Sequence, residues 1–157
     1  MADSYYDTLH LIERLHRQFL DVLKFELDRL GLQDINNVQA LILYNIGGDE
    51  LTVGELTARG YYLGSNVSYN VKCMTQTGYI EQRRSLHDRR SVRIRLSQKG
   101  LDLHEKISAM FDRQIAGVKS AGLSEGDFTS VINVLGKLER FWSTQIGYGA
   151  ASLVRVA

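Results

Sequence analysis

Residues 65–97 read SNVSYNVKCMTQTGYIEQRRSLHDRRSVRIRLS. In the first half, Val67, Val71 and Met74 stand at i, i+4 and i+7. A helix over 65–77 places these three on one side, where they can pack inward. Ser65, Ser68, Tyr69, Lys72 and Gln76 then fall on the opposite side, which carries no acid. Gly78 follows, a residue that ends helices because it tolerates positive φ. The second half predicts a strand over 79–84, a tip at 86–90 and a returning strand over 91–96. In the return, Val92, Ile94 and Leu96 share one face, and Arg93 and Arg95 share the other.

A helix followed by a basic two-stranded hairpin is the outline of a winged helix-turn-helix. Such a helix fits the DNA major groove, and a basic tip reaches the backbone or the minor groove. Charge points the same way. The chain has a net charge of +1, but between Arg59 and Lys99 nine lysines and arginines face only Glu81 and Asp88, a local +7. The rest of the chain therefore carries −6. Separation of this kind suits a protein with one face toward a polyanion. The plainer alternative is a solvated strand face, and the coincidence with the helix-hairpin pattern favours the polyanion.

Outward from this stretch the chain reads as helices. A stripe of Leu9, Ile12, Leu15, Phe19, Val22, Leu23, Leu27 and Leu30 predicts a long amphipathic helix over 5–30, closed by Gly31. Asn36 can cap a second helix to 46, with Gln39 completing the box and Val38, Leu41, Ile42 and Asn45 facing inward. Residues 50–52 can add a small third strand. Thr52-Val53-Gly54-Glu55 has capping-box spacing for a third helix to 59. A turn over 60–64, with Tyr61 and Tyr62, joins it to the helix at 65, giving the helix-turn-helix order. Ser97 caps a fifth helix to about 121, and Ser124 with Asp127 caps a sixth to about 147. The terminal helices carry more apolar surface than the small middle region can cover. A two-fold dimer covers it and presents two recognition helices at fixed spacing. The fold expected is mainly α: a winged helix-turn-helix with a small antiparallel β-hairpin wing and a helical dimerisation domain built from N- and C-terminal helices. Residues 32–97 form the DNA-binding region of a single chain, 1–157, and residues 5–31 and 98–147 the dimerisation region.

Other chemistry finds little support. No run of 18 apolar residues is present, the N-terminus lacks a signal-peptide pattern, and a single cysteine makes no internal disulfide, so a cytoplasmic protein is expected. Cys73 has only Lys72 as a basic neighbour in sequence, and a partly buried cysteine is favoured over a redox switch. His10, His16, His87 and His104 show no metal-ligand spacing. Neither a nucleophile elbow nor a phosphate-binding glycine loop is present, so no catalytic residue, metal or cofactor is expected and an enzyme is disfavoured. The main alternative is a winged-helix module that binds protein without specific DNA binding. His10, Arg14, Arg17 and the early tyrosines can line an effector cleft, but ordinary interface residues are the favoured reading.

Three stretches carry a resemblance: LTVGELTARG (51–60), SNVSYNVKCMTQTGYIEQR (65–83) and DRRSVRIRLSQKG (88–100). Together they resemble the MarR family of bacterial transcriptional regulators over nearly the whole chain. The wing pattern D-x-R-S, alternating apolar residues, then L-[ST]-x-x-G is the most specific part. The resemblance implies a homodimer acting on a pseudo-palindromic DNA operator, often as a repressor released by a small aromatic effector. It places Ser65, Asn66, Ser68 and Tyr69 at the bases and Lys72 at a phosphate. It makes Arg90 the wing arginine at the minor groove, braced by Asp88, with Arg89, Arg83 and Arg84 adding to the DNA-binding set. One departure matters. The family often has arginine where Tyr69 stands, and arginine is the usual bidentate reader of guanine. Tyr69 instead suits a thymine methyl or a phosphate.

Overall fold

The leucine stripe at the start of the chain forms α1 (Ala2–Arg29), and Gly31, at φ 70°, turns the chain out of it. The computed structural model describes residues 1–59, 64–84 and 92–154, and the side chains of these except at 64, 65 and 148–154. The turn expected at 60–64, with Tyr61 and Tyr62, and the tip at 86–90 therefore lie wholly or largely outside the described residues. In α1 only the C-terminal part is deeply buried, at Leu23, Glu26 and Leu27. Leu15 and Val22, on the predicted apolar stripe, are exposed in the single chain.

Both predicted capping boxes are formed. Asn36 accepts a hydrogen bond from the Gln39 N–H at 2.9 Å, and the Asn36 N–H donates to Gln39 Oε1 at 3.1 Å, opening α2 (Asn37–Ile46). The buried face of α2 is Gln39, Ala40, Ile42, Leu43 and Ile46. Val38, Leu41 and Asn45 are only half-buried, so the helix is rotated from the expected setting and turns its most continuous apolar face inward. Thr52 has two uses. It ends β1 (Leu51–Thr52), and its hydroxyl accepts from the Glu55 N–H at 3.1 Å to cap α3 (Val53–Ala58). The carboxylate of Glu55 accepts from the Thr52 N–H, and this bond holds its pKa below the usual glutamate value.

Helix α4 (Gly64–Gln76) leads through Gly78, at φ 81°, into β2 (Ile80–Arg84). The sheet is antiparallel with order β1-β3-β2, where β3 is Val92–Leu96. Ile94 is fully buried, facing Leu51 on one side and Gln82 on the other. Val92, expected on the inner face, is 41% exposed, because it lies at the far end of a hairpin that projects beyond the core. Ser97 accepts from the Gly100 N–H at 3.1 Å and starts α5 (Gln98–Ser120). Ser124 and Asp127 cap α6 (Glu125–Val154), which runs past the expected end at 147. Gly147 and Gly149 do not end it, although each is about 1 kcal/mol less favourable in a helix than alanine.

Two compact units result, 1–111 and 112–157. The first holds a core of Leu23, Leu27, Ile42, Leu43, Ile46, Leu56, Val67, Met74, Tyr79, Ile94 and Ile107. The second contains the end of α5 and all of α6. Its apolar residues Phe128, Val131, Ile132, Leu135 and Phe141 are exposed in the single chain. Among the described residues, no helix is long and apolar enough to cross a membrane.

Candidate nucleic-acid interface

The two sides of α4 separate as their residue types dictate. Val67, Val71 and Met74 are each 2% exposed or less and seal the helix to the core. Asn66, Ser68, Tyr69, Lys72 and Gln76 are exposed, and no acid stands among them. Asn70 lies on the inner side, and its Nδ2 donates to the Asn66 carbonyl one turn back at 2.8 Å, which satisfies it within the helix. Ser65 sits in the first turn of α4, and its side chain is among those not described.

Tyr69 is 66% exposed. The neighbouring Cys73 thiol, one turn on, raises the phenol pKa above the ordinary value. Cys73 itself is half-buried and free. Sequence spacing alone places residues i and i+4 together, but pairing a phenol with a thiol gives no pattern that would have marked this effect in advance.

The local +7 needs correction as a description of the surface. Four of its nine cations are held by acids, three of which lie outside the stretch. Arg59 reaches Asp49 at 2.6 Å, and Lys99 reaches Asp34 at 2.5 Å. Arg93 reaches Glu50 at 3.5 Å, and Arg95 reaches Glu81 at 2.9 Å. Arg83 lies directly across the hairpin from Arg93, a like-charge pairing that is unfavourable alone. Glu50 draws Arg93 toward β1 and away from it. The exposed cations Lys72, Arg83 and Arg84 have no ion pair among the described residues. Arg89, Arg90 and Asp88 lie outside the described residues.

A buried anchor fixes the base of α4 and β2. Tyr79 is 1% exposed, and its hydroxyl donates to Asp34 Oδ1 at 2.8 Å. Lys99 donates to Asp34 Oδ2 and to the Thr77 carbonyl at 2.9 Å, with its ammonium 4.0 Å from the Tyr79 ring centroid. The Lys99 hydrogen bond is the main reason that the Asp34 pKa lies below its usual value. Burial, then the Asp34 hydrogen bond, pushes Tyr79 well above its own. Asp34 and Lys99 are far apart in sequence, so no local signal pairs them. His10, Arg14, His16 and Arg17 are exposed on α1, and His104 stacks on Tyr44 at 4.9 Å between centroids. Among the described residues no group of three metal-ligating side chains comes together.

Residues 31–91 match the model of the MarR family. The exopolysaccharide II synthesis transcriptional activator ExpG of Rhizobium meliloti (strain 1021) is 39% identical over 151 residues, spanning 93% of this chain and 75% of that protein. The chain belongs to the MarR family of transcriptional regulators. Among solved structures, Streptococcus pneumoniae FabT in complex with DNA superposes with a TM-score of 0.71 at 21% identity, over 90% of this chain and 99% of that one. The S. aureus MepR–DNA complex gives a TM-score of 0.69 at 22% identity, over 83% and 95%. These two likenesses establish the MarR-family winged-helix fold, which the first and second halves of residues 65–97 outline.

Proposed function

We propose that this MarR-family protein regulates transcription as a homodimer bound to a pseudo-palindromic DNA operator, in the cytoplasm and without catalytic activity. Residues 32–97 form the DNA-binding region, and residues 5–31 and 98–147 the dimerisation region. One observation carries the reading: the exposed, acid-free outer face of α4, where Asn66, Ser68, Tyr69 and Lys72 stand clear of the core. An α-helix fits the major groove, and side chains near its N-terminus meet base edges. Ser65, Asn66, Ser68 and Tyr69 face the bases in this reading. Lys72, Arg83 and Arg84 meet phosphates, and Arg89 and Arg90 grip the flanks, with Asp88 bracing Arg90. That FabT and MepR were each solved with DNA supports the same use of the fold.

Regulation by this protein can be positive or negative. The family resemblance suggests a repressor, whereas ExpG is named as an activator. The test is selection of binding sites from a random duplex pool by the purified protein at two salt concentrations. The expected product is a pseudo-palindrome with half-sites about 10 bp apart, bound less tightly at higher salt. A pool that enriches no sequence overturns the proposal. A reporter placed behind the selected site then gives the sign of regulation.

A further inference from the structure

We propose that Lys99 is a positioning residue for DNA recognition: through Asp34 and the Thr77 carbonyl it fixes the angle at which α4 is offered to the groove. The inference rests on the DNA-binding reading above and concerns a residue outside the face assigned to DNA. Helix α4 closes in a Schellman turn. The Gly78 N–H donates to the Thr75 carbonyl at 3.2 Å, and the Tyr79 N–H to the Met74 carbonyl at 2.8 Å. That turn leaves the carbonyls of Thr77, Gly78 and Tyr79 to be satisfied from elsewhere. The start of α5 takes all three. Lys99 Nζ donates to the Thr77 carbonyl at 2.9 Å, the Ser97 hydroxyl to the Gly78 carbonyl at 2.6 Å, and the Ser97 N–H to the Tyr79 carbonyl at 3.0 Å.

Lys99 reaches further than Ser97. The same ammonium donates to Asp34 Oδ2 at 2.5 Å, on the connection between α1 and α2, and lies 4.0 Å from the Tyr79 ring centroid. One side chain thus ties the exit of α4 to the first turn of α5 and to the residues that precede α2. Both charged partners are close to half exposed, at 45 and 46%, and an exposed ion pair adds little to stability. What this one adds is direction. Val67, Val71 and Met74 choose which face of α4 turns inward, but hydrophobic contact is non-directional and constrains tilt less than hydrogen bonds do. Groups that meet a ligand have to be held to within about 0.5 Å, so a small change of tilt at the exit of α4 is felt along its outer face. The charge of Lys99 is matched by Asp34 and is not offered to phosphate, so it acts on DNA only through the helix it holds.

The experiment uses the full chain and the operator from the selection described above. Lys99→Met keeps a stem over Tyr79 and removes the ammonium. It should weaken operator binding about tenfold, the order set by one charge-assisted hydrogen bond. The slope of log K against log salt should not change, because no phosphate contact is lost. Asp34→Ala should also weaken binding, although it removes a negative charge from a protein that binds a polyanion. The double variant should bind no worse than the weaker single variant, since the two residues act through one contact. Circular dichroism and the urea midpoint check that each variant is folded under the binding conditions. Lys99→Met, at a half-exposed position, decides alone if Asp34→Ala does not fold. A pair that only stabilises would lower the urea midpoint and leave the affinity of the folded protein unchanged, so parental affinity in Lys99→Met overturns the inference. Additive losses in the double variant overturn it too. So does a salt slope lowered by about 1 in Lys99→Met together with tighter binding by Asp34→Ala, which would make Lys99 a phosphate contact. In each of those cases a selected palindrome still stands, and DNA binding with it. A selection that enriches nothing removes the DNA-binding reading and this inference together.

Discussion

Asp34 has two carboxylate oxygens, and each is taken by a donor from a distant part of the chain: Tyr79 at 2.8 Å and Lys99 at 2.5 Å. The pKa directions set the sign of the pH dependence. Asp34 is held below its ordinary 3.8, so its contribution is present above that pH and is lost as pH falls through the lowered value. Tyr79 is raised above its ordinary 10.0, so its contribution is present below that pH and is lost on the alkaline side. In urea unfolding, Asp34→Asn should therefore flatten the acid limb of stability below pH 3.8. Tyr79→Phe should flatten the limb above pH 10.0. At neutral pH, Tyr79→Phe should cost about 1 kcal/mol, the usual net worth of a buried hydrogen bond. An unchanged pH profile in both variants would show that the anchor is not coupled to folding. Gly100 is another residue whose role shows only in three dimensions. A Cβ there would strike the Tyr79 carbonyl oxygen and stand 3.1 Å from Leu96 Cβ. Gly100→Ala should destabilise the fold by about 1–3 kcal/mol, the range for overpacking against fixed atoms, read as a lower urea midpoint. The sequence shows L-S-x-x-G as a pattern. The reason for its glycine lies in the backbone of Tyr79, which no local reading supplies.

Elements were more legible than contacts, because their signals are local. The boxes at Asn36–Gln39 and Thr52–Glu55, the glycine stop at Gly78 and the i, i+4, i+7 spacing of Val67, Val71 and Met74 each depend on residues within two turns. Rotation of α2 and the exposure of Val92 were not legible, because both depend on what lies opposite. Charge failed for the same reason. A count along 59–99 omits Asp34, Asp49 and Glu50, which fold onto its cations. The correction separates two kinds of arginine on the hairpin. Arg95 is paired with Glu81, whereas Arg83 and Arg84 are exposed without an ion pair among the described residues. If Arg83 and Arg84 meet phosphates, replacing either by alanine should reduce the slope of log K against log salt by about 1. Arg95→Ala should leave that slope unchanged, since its charge is already matched. Equal slopes for all three variants would remove β2 from the interface.

At the scale of the whole molecule the question is what covers the terminal helices. On α6, Phe128, Val131, Ile132 and Leu135 follow i, i+3, i+4, i+7, with exposures of 47, 52, 70 and 39%. On α1, Leu11, Leu15 and Phe25 are exposed as well. On each helix by itself, exposed apolar surface of this kind is what an interface with a partner would cover. A second copy is the partner that also explains the DNA-binding face, since a two-fold dimer presents two α4 helices to half-sites one helical turn apart. This surface was legible as excess apolar stripe, although the sequence alone also allowed it to be core within one chain. Charges placed in it distinguish a dimer contact from incidental exposure. Ile132→Lys with Leu135→Lys should leave each chain folded, because neither side chain is buried in the single chain. Sedimentation equilibrium should then find monomer where the parent is dimer. Operator affinity should fall by about a hundredfold or more, because the second half-site no longer binds at high effective concentration. A double variant that stays dimeric would place the interface elsewhere. One that becomes monomeric yet keeps full operator affinity would show that a single α4 is sufficient to bind.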